Sequence, residues 1–191
     1  MGKLFICEGS NEALMLEELY KGRLIFKDFQ HSKEEKRKYE QTKVFRHYEW
    51  IKKAEKGEIV KIEGGIKKVR EIIRKLIAEQ QVRYVDAKEV IILCDNEKGN
   101  RTLNLIKSYM QELKKKGISF EFEESPICNS FYYLRMTFGR ILVKILIANP
   151  NLEEVIKKVL RKNLKEIKEK EERRKVLRNF LKICNLKNFL L

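Results

Sequence analysis

The sequence predicts an α/β fold: a mostly parallel sheet flanked by helices, with an α-helical C-terminal extension. Three observations predict it. Two short apolar runs, Lys3–Cys7 and the largely β-branched Val90–Cys94, stop at acidic residues and then a glycine, the pattern of strands buried on both faces. The segments around them carry apolar residues at helical spacing, so strand and helix alternate over residues 1–124. Beyond residue 124 the chain turns to apolar and strongly basic amphipathic segments, which defines residues 125–191 as the extension.

Lys3–Cys7 is the first strand, and Glu8-Gly9-Ser10 is its turn, with Gly9 permitting a tight bend. Ser10 or Asn11 caps a helix that runs through Leu14, Leu16 and Leu19 to about Lys21, where Gly22 stops it. Residues 23–29 fit a short strand or a loop. A helical insertion follows over about residues 30–56, with Val44, Phe45, Tyr48, Ile51 and Ala54 on one face. Glu58–Glu63 reads as a strand, and Gly64-Gly65 as a turn. Ile66, Val69, Ile72, Ile73, Leu76 and Ile77 line a helix. After Val90–Cys94, a helix carries Leu103, Ile106, Met110 and Leu113. It ends on Lys114, Lys115 and Lys116, which suit the helix dipole, and on Gly117. Ile118–Phe122 alternates as a half-exposed strand does. Phe131–Ala148 is expected to be helical. Asn151 caps a further helix, and Val176, Leu177, Phe180, Leu181 and Cys184 form the face of the last one.

A net charge of +15 with 37% charged residues favours a polyanionic partner, nucleic acid before an anionic membrane surface. From Lys157 to Lys187 thirteen basic residues face four acids, so +9 of that excess lies in the C-terminal extension. The most apolar window contains Arg135, Arg140 and Lys144, which argues against a membrane span. The N-terminus reads as a strand rather than a leader. The four cysteines, 7, 94, 128 and 184, have no zinc-knuckle spacing and read as reduced structural thiols of a cytoplasmic protein. His31 and His47 are too far apart for a metal motif, and Gly64-Gly65 lacks a nucleotide-binding fingerprint. Phe45, Tyr48 and Trp50 read as core rather than as a base-stacking platform.

If the two acid-terminated strands are parallel neighbours, Glu8 and Asp95 lie side by side with Glu97 close by. The carboxyl end of an open α/β sheet is where ligands bind. Such acids serve either as turn and capping residues or as hard oxygen ligands for Mg²⁺ (or Mn²⁺). In the second case Asp95 and Glu97 approach one ion and Glu8 faces the substrate as the proton-transfer group.

The sequence Glu8-Gly9 at the end of a first strand, a helix beginning S-N-E-A-L, and D-N-E-K-G at the end of a later strand together resemble a Toprim domain. Type IA and type II topoisomerases, bacterial primases and several nucleases share that domain. The Gly64-Gly65 turn is similar to that of small stand-alone Toprim-like proteins. The resemblance covers residues 1–124 and implies a Toprim-like (Rossmann-like) sheet. It also implies that Glu8 is a general acid or base, and that Asp95 is the first, Mg²⁺-binding Asp of a D-x-D motif. Glu97 stands in place of the second Asp, and Gly99 comes one residue early.

The sequence thus leads to Mg²⁺-dependent phosphodiester chemistry on DNA or RNA, most simply a Toprim-type nuclease. Lys67, Lys68, Arg70, Arg101, Arg161, Lys165, Arg173 and Arg174 are the expected nucleic-acid contacts. The alternative is a non-catalytic nucleic-acid-binding or adaptor protein with a degenerate site. A third reading pairs the C-terminal helices with a second copy or another protein.

Overall fold

A computed structural model describes residues 3–20, 25–27, 58–61, 65–84, 87–128 and 130–190. The expected helical insertion, with His31, His47 and Trp50, lies outside the described residues.

Seven strands form one sheet: β1 (Lys3–Cys7), β2 (Ile25–Lys27), β3 (Glu58–Lys61), β4 (Glu89–Asp95), β5 (Glu121–Ile127), β6 (Phe131–Phe138) and β7 (Ile141–Ala148). Their order is β2-β3-β1-β4-β7-β6-β5. The first five in that order are parallel, and β6 and β5 close one edge as an antiparallel meander. The sheet is therefore mostly parallel, as the apolar runs predict. Leu4 to Cys7 and Val90 to Cys94 are all buried, because helices cover both faces.

One face carries α2 (Ile66–Ile73), which runs on through a π-helical turn at Arg74–Ala78, and α3 (Arg101–Lys115). Their apolar stripes pack on Leu4, Ile6, Val90 and Ile92. The opposite face carries α1 (Ser10–Leu19), α4 (Leu152–Leu160), α5 (Lys170–Ile183) and a short α6 (Lys187–Leu190), packed on Phe5, Cys7, Ile91, Leu93 and Leu146. Ion pairs hold α5 on α1. Arg174 binds Glu17 and Glu18, and Arg178 Nε lies 2.7 Å from Glu18. The Glu18 side chain is only 1% exposed, so this pairing offsets the cost of burying its charge.

The structure corrects the helix expected over Phe131–Ala148. That segment is the β6–β7 hairpin, and Phe138 pairs with Ile141 across a two-residue turn, Gly139-Arg140. Gly139 has φ +59°, which glycine adopts without a Cβ penalty. β7 lies between β4 and β6, where both faces are covered, so the alternation that would mark a strand is lost. The expected boundary at residue 124 falls inside β5, and β7 beside β4 ties the following residues into the same sheet. Ile118–Phe122 also shifts: the strand begins at Glu121, because Gly117 and Ile118 close the end of α3 on Lys114 and Leu113.

Candidate functional site

β1 and β4 are hydrogen-bonded parallel neighbours, with Cys7 opposite Leu93. Glu8 and Asp95 therefore emerge at the same sheet end. Three helices start around them: α1 after Gly9, α2 after Gly65 and α4 after Asn151. Their N-terminal N–H groups favour negative charge there.

Each acid is tied to one of these starts. Glu8 accepts from the backbone N–H groups of Asp95 and Ile66, the latter opening α2, while its Oε2 is buried with no partner. Asp95 Oδ1 accepts from Leu152 N–H at 3.0 Å, at the start of α4. Glu12 lies in the first turn of α1 and reaches back to the N–H of Gly9, the reciprocal half of a capping box. Gly9 has an extended φ of −131°, so a tight bend is not its role. A Cβ there would stand 2.6 Å from Glu12 Oε2, so a larger residue would displace the Glu12 carboxylate from its present position. Gly65, at φ +71°, supplies the left-handed turn beside Glu8.

Glu153, on the first turn of α4, completes the group, and Asn11 Nδ2 donates to its Oε1 at 2.8 Å. Burial raises the Asp95 carboxyl to about 8, helped by the charges of Glu12, Glu8 and Glu153. Burial raises Glu12 to about 7, helped by Glu153 and Glu8. Glu8 is also raised, chiefly by burial and against the pull of its two backbone hydrogen bonds. Sequence reasoning finds Glu8 and Asp95 but misses Glu12 and Glu153, which read as ordinary first-turn acids; the only signal was Glu12 falling at N3 behind a glycine cap.

Glu97 takes a different course. Its carboxylate pairs with Arg70 Nη2 at 2.8 Å, and Arg70 Nε donates to Thr102 Oγ1 at 3.1 Å. Thr102 donates in turn to the Asp95 carbonyl at 2.8 Å. Arg70 is thus committed to the loop after β4 rather than free for phosphate. Asn96 fixes the same loop: it is fully buried, its Oδ1 accepts from Leu103 N–H, and its backbone N–H donates to Ala148 O at 2.8 Å.

The other expected contacts separate into three groups. Lys67, Arg101, Arg161 and Lys165 are exposed. Lys68 is half-buried. Arg173 Nε donates to the Ile167 carbonyl, and Arg174 is spent on Glu17 and Glu18, with its side chain 14% exposed.

The donors that could hold a divalent ion are the carboxylates of Glu8, Glu12, Asp95 and Glu153. They are hard oxygens, as Mg²⁺ requires, and the unpartnered Glu8 Oε2 is consistent with such a group. Among the described residues no trio of acids, histidines or cysteines is already set at ligand geometry, so loading requires side-chain movement. No helix among them is long and apolar enough to cross a membrane. No protein-family model, curated protein or solved structure matches the chain.

Proposed function

We propose that the protein carries out Mg²⁺-dependent phosphodiester chemistry on nucleic acid, as a Toprim-type nuclease. One observation carries this reading: four carboxylates converge where two parallel strands end, and burial and mutual repulsion hold two of them at about 7 and about 8. Such a cluster of acids, on a chain of net charge +15, is suited to a divalent ion. Asp95 and Glu12 would hold Mg²⁺, with Glu153 near enough to add charge. When bound, the ion would neutralise a phosphate and orient the nucleophile. Glu8, with one oxygen unpartnered and its pKa raised, is suited to take up and return a proton. Glu97 joins the ligands only by leaving Arg70. Lys67, Arg101, Arg161 and Lys165 would neutralise the nucleic-acid backbone.

The commitment of Asp95 to Leu152, of Glu12 to Gly9 and of Glu97 to Arg70 favours a second reading, a non-catalytic nucleic-acid-binding or adaptor protein whose acids cap helices. Mn²⁺ titration followed by electron paramagnetic resonance separates the two. The enzyme reading expects saturable binding that weakens at least ~10-fold in Asp95→Asn, as loss of an anionic ligand should. Equal affinity in parent and variant would leave the capping role alone standing.

A further inference from the structure

Two of the four cysteines meet at the far end of α5. Cys128 follows β5 directly, in the turn to β6 closed by Ser130 N–H on Ile127 O at 3.1 Å, and it is exposed. Its φ is +51°, in the left-handed region that non-glycine residues seldom adopt. Cys184 caps the C-terminus of α5 and is buried. Cys184 N–H donates to Phe180 O at 3.0 Å, so Cys184 stands one helical turn beyond Phe180 on the same face. Phe180 packs on Phe131, which follows the turn, with ring centroids 5.9 Å apart. The turn and the helix end are thus held together by packing, and the neighbouring Cys128 thiol adds to the rise that burial imposes on Cys184. Cys7 and Cys94, by contrast, are buried in the sheet.

We infer that Cys128 and Cys184 form a reversible intramolecular disulfide, with Cys128 as the thiol that meets a low-molecular-weight disulfide oxidant and Cys184 as the resolving thiol. The Cys128 thiolate attacks one sulfur of the oxidant, breaking its S–S bond, and one small thiol leaves. Cys184 then loses its proton to solvent, and its sulfur attacks the Cys128 sulfur of the mixed disulfide. The second small thiol leaves as the Cys128–Cys184 bond forms. Two protein thiols are oxidised and one small disulfide is reduced to two thiols. Division of roles follows exposure: the buried Cys184, whose thiol burial pushes up, is the poorer first nucleophile. The bond would clip the β5–β6 turn to the helix that Arg174 and Arg178 hold on α1.

The test is to incubate the native full-length chain with oxidised glutathione and record its intact mass, a non-reducing peptide map and its Tm. The expected result is loss of two hydrogens, a single Cys128–Cys184 cross-linked peptide, and a Tm higher by roughly 5–10 °C that dithiothreitol reverses. Cys184→Ala should stop at one glutathione adduct on Cys128, and Cys128→Ser should take up none. A parent that retains the glutathione adduct, stays reduced, or links other cysteines or two chains would overturn the inference. Because Cys184 is buried, the parent's peptide map decides the matter even if Cys184→Ala is unstable.

Discussion

Asp95 Oδ1 accepts the Leu152 backbone N–H at 3.0 Å, so the acid that ends β4 caps the start of α4. This contact joins the central strand of the sheet to the helix layer on one face. It also separates charge from hydrogen bonding at a single residue. An Asn side chain keeps the acceptor and removes the charge, whereas Ala removes both. Asp95→Asn should therefore melt at or above the parent temperature without metal, because a buried carboxylate beside Glu8 and Glu12 no longer needs its proton. Asp95→Ala should lose about 1 kcal/mol through the missing cap. Urea denaturation of the three proteins in EDTA checks the order. An Asn variant as unstable as the Ala variant would mean that the charge itself supports the fold.

Stability without metal should fall as pH rises from 6 to 8. Asp95 titrates near 8 and Glu12 near 7 in the folded protein, while unfolded carboxyls titrate near about 4. The native state therefore binds these protons more tightly than the unfolded chain. Their stabilisation is complete below the unfolded value and is lost as pH rises through the folded values. A Tm measured in EDTA at pH 6, 7 and 8 should decline, and less steeply in Asp95→Asn. A flat or rising profile would contradict the buried-acid assignment. For the same reason, divalent-ion binding near pH 7 should release protons, which calorimetry in buffers of different ionisation enthalpy detects.

Arg174 should matter for stability more than for nucleic acid. Its guanidinium bridges Glu17 on α1 and the buried Glu18. Arg174→Met keeps much of the side-chain volume but leaves Glu18 with Arg178 alone, at a cost of about 2 kcal/mol. Chemical denaturation reads this directly. A loss within about 0.5 kcal/mol would place the α1–α5 attachment in the apolar contacts instead.

Nucleic-acid binding should depend on the exposed cations. Arg161 and Lys165 lie exposed at the surface between α4 and α5. Reversing both to Glu should weaken binding and lower the slope of log affinity against log salt by roughly 1 for each phosphate no longer neutralised. An unchanged slope would remove this surface from the interface and favour a protein partner for the C-terminal helices.

Much of this architecture is legible in the sequence. β1 and β4 are short, apolar and bounded by acids, and α2 and α3 carry unbroken apolar stripes. Glu8 and Asp95 are legible too, because their place at strand ends follows from those runs. β6 and β7 are not, since a strand buried on both faces and a buried helix look alike when alternation is lost. Gly139-Arg140 between two aromatic and β-branched runs was the available hairpin signal. Glu12 and Glu153 escaped because first-turn acids are ordinary. Only the packing of three helix starts around one strand end brings them together. The locking of Glu97 by Arg70 depends on α2 and the β4–α3 loop meeting across residues far apart in sequence, which no local pattern records.

The most direct test of the central claim is cleavage of single-stranded and duplex DNA and RNA by the parent and Asp95→Asn, with Mg²⁺ or Mn²⁺ and with EDTA. Metal-dependent cleavage by the parent is expected, with its loss in Asp95→Asn and nucleic-acid affinity within about 2-fold of the parent for the variant. Cleavage that survives unchanged in Asp95→Asn, or a parent that binds nucleic acid but cuts none of the four substrates, would contradict the claim.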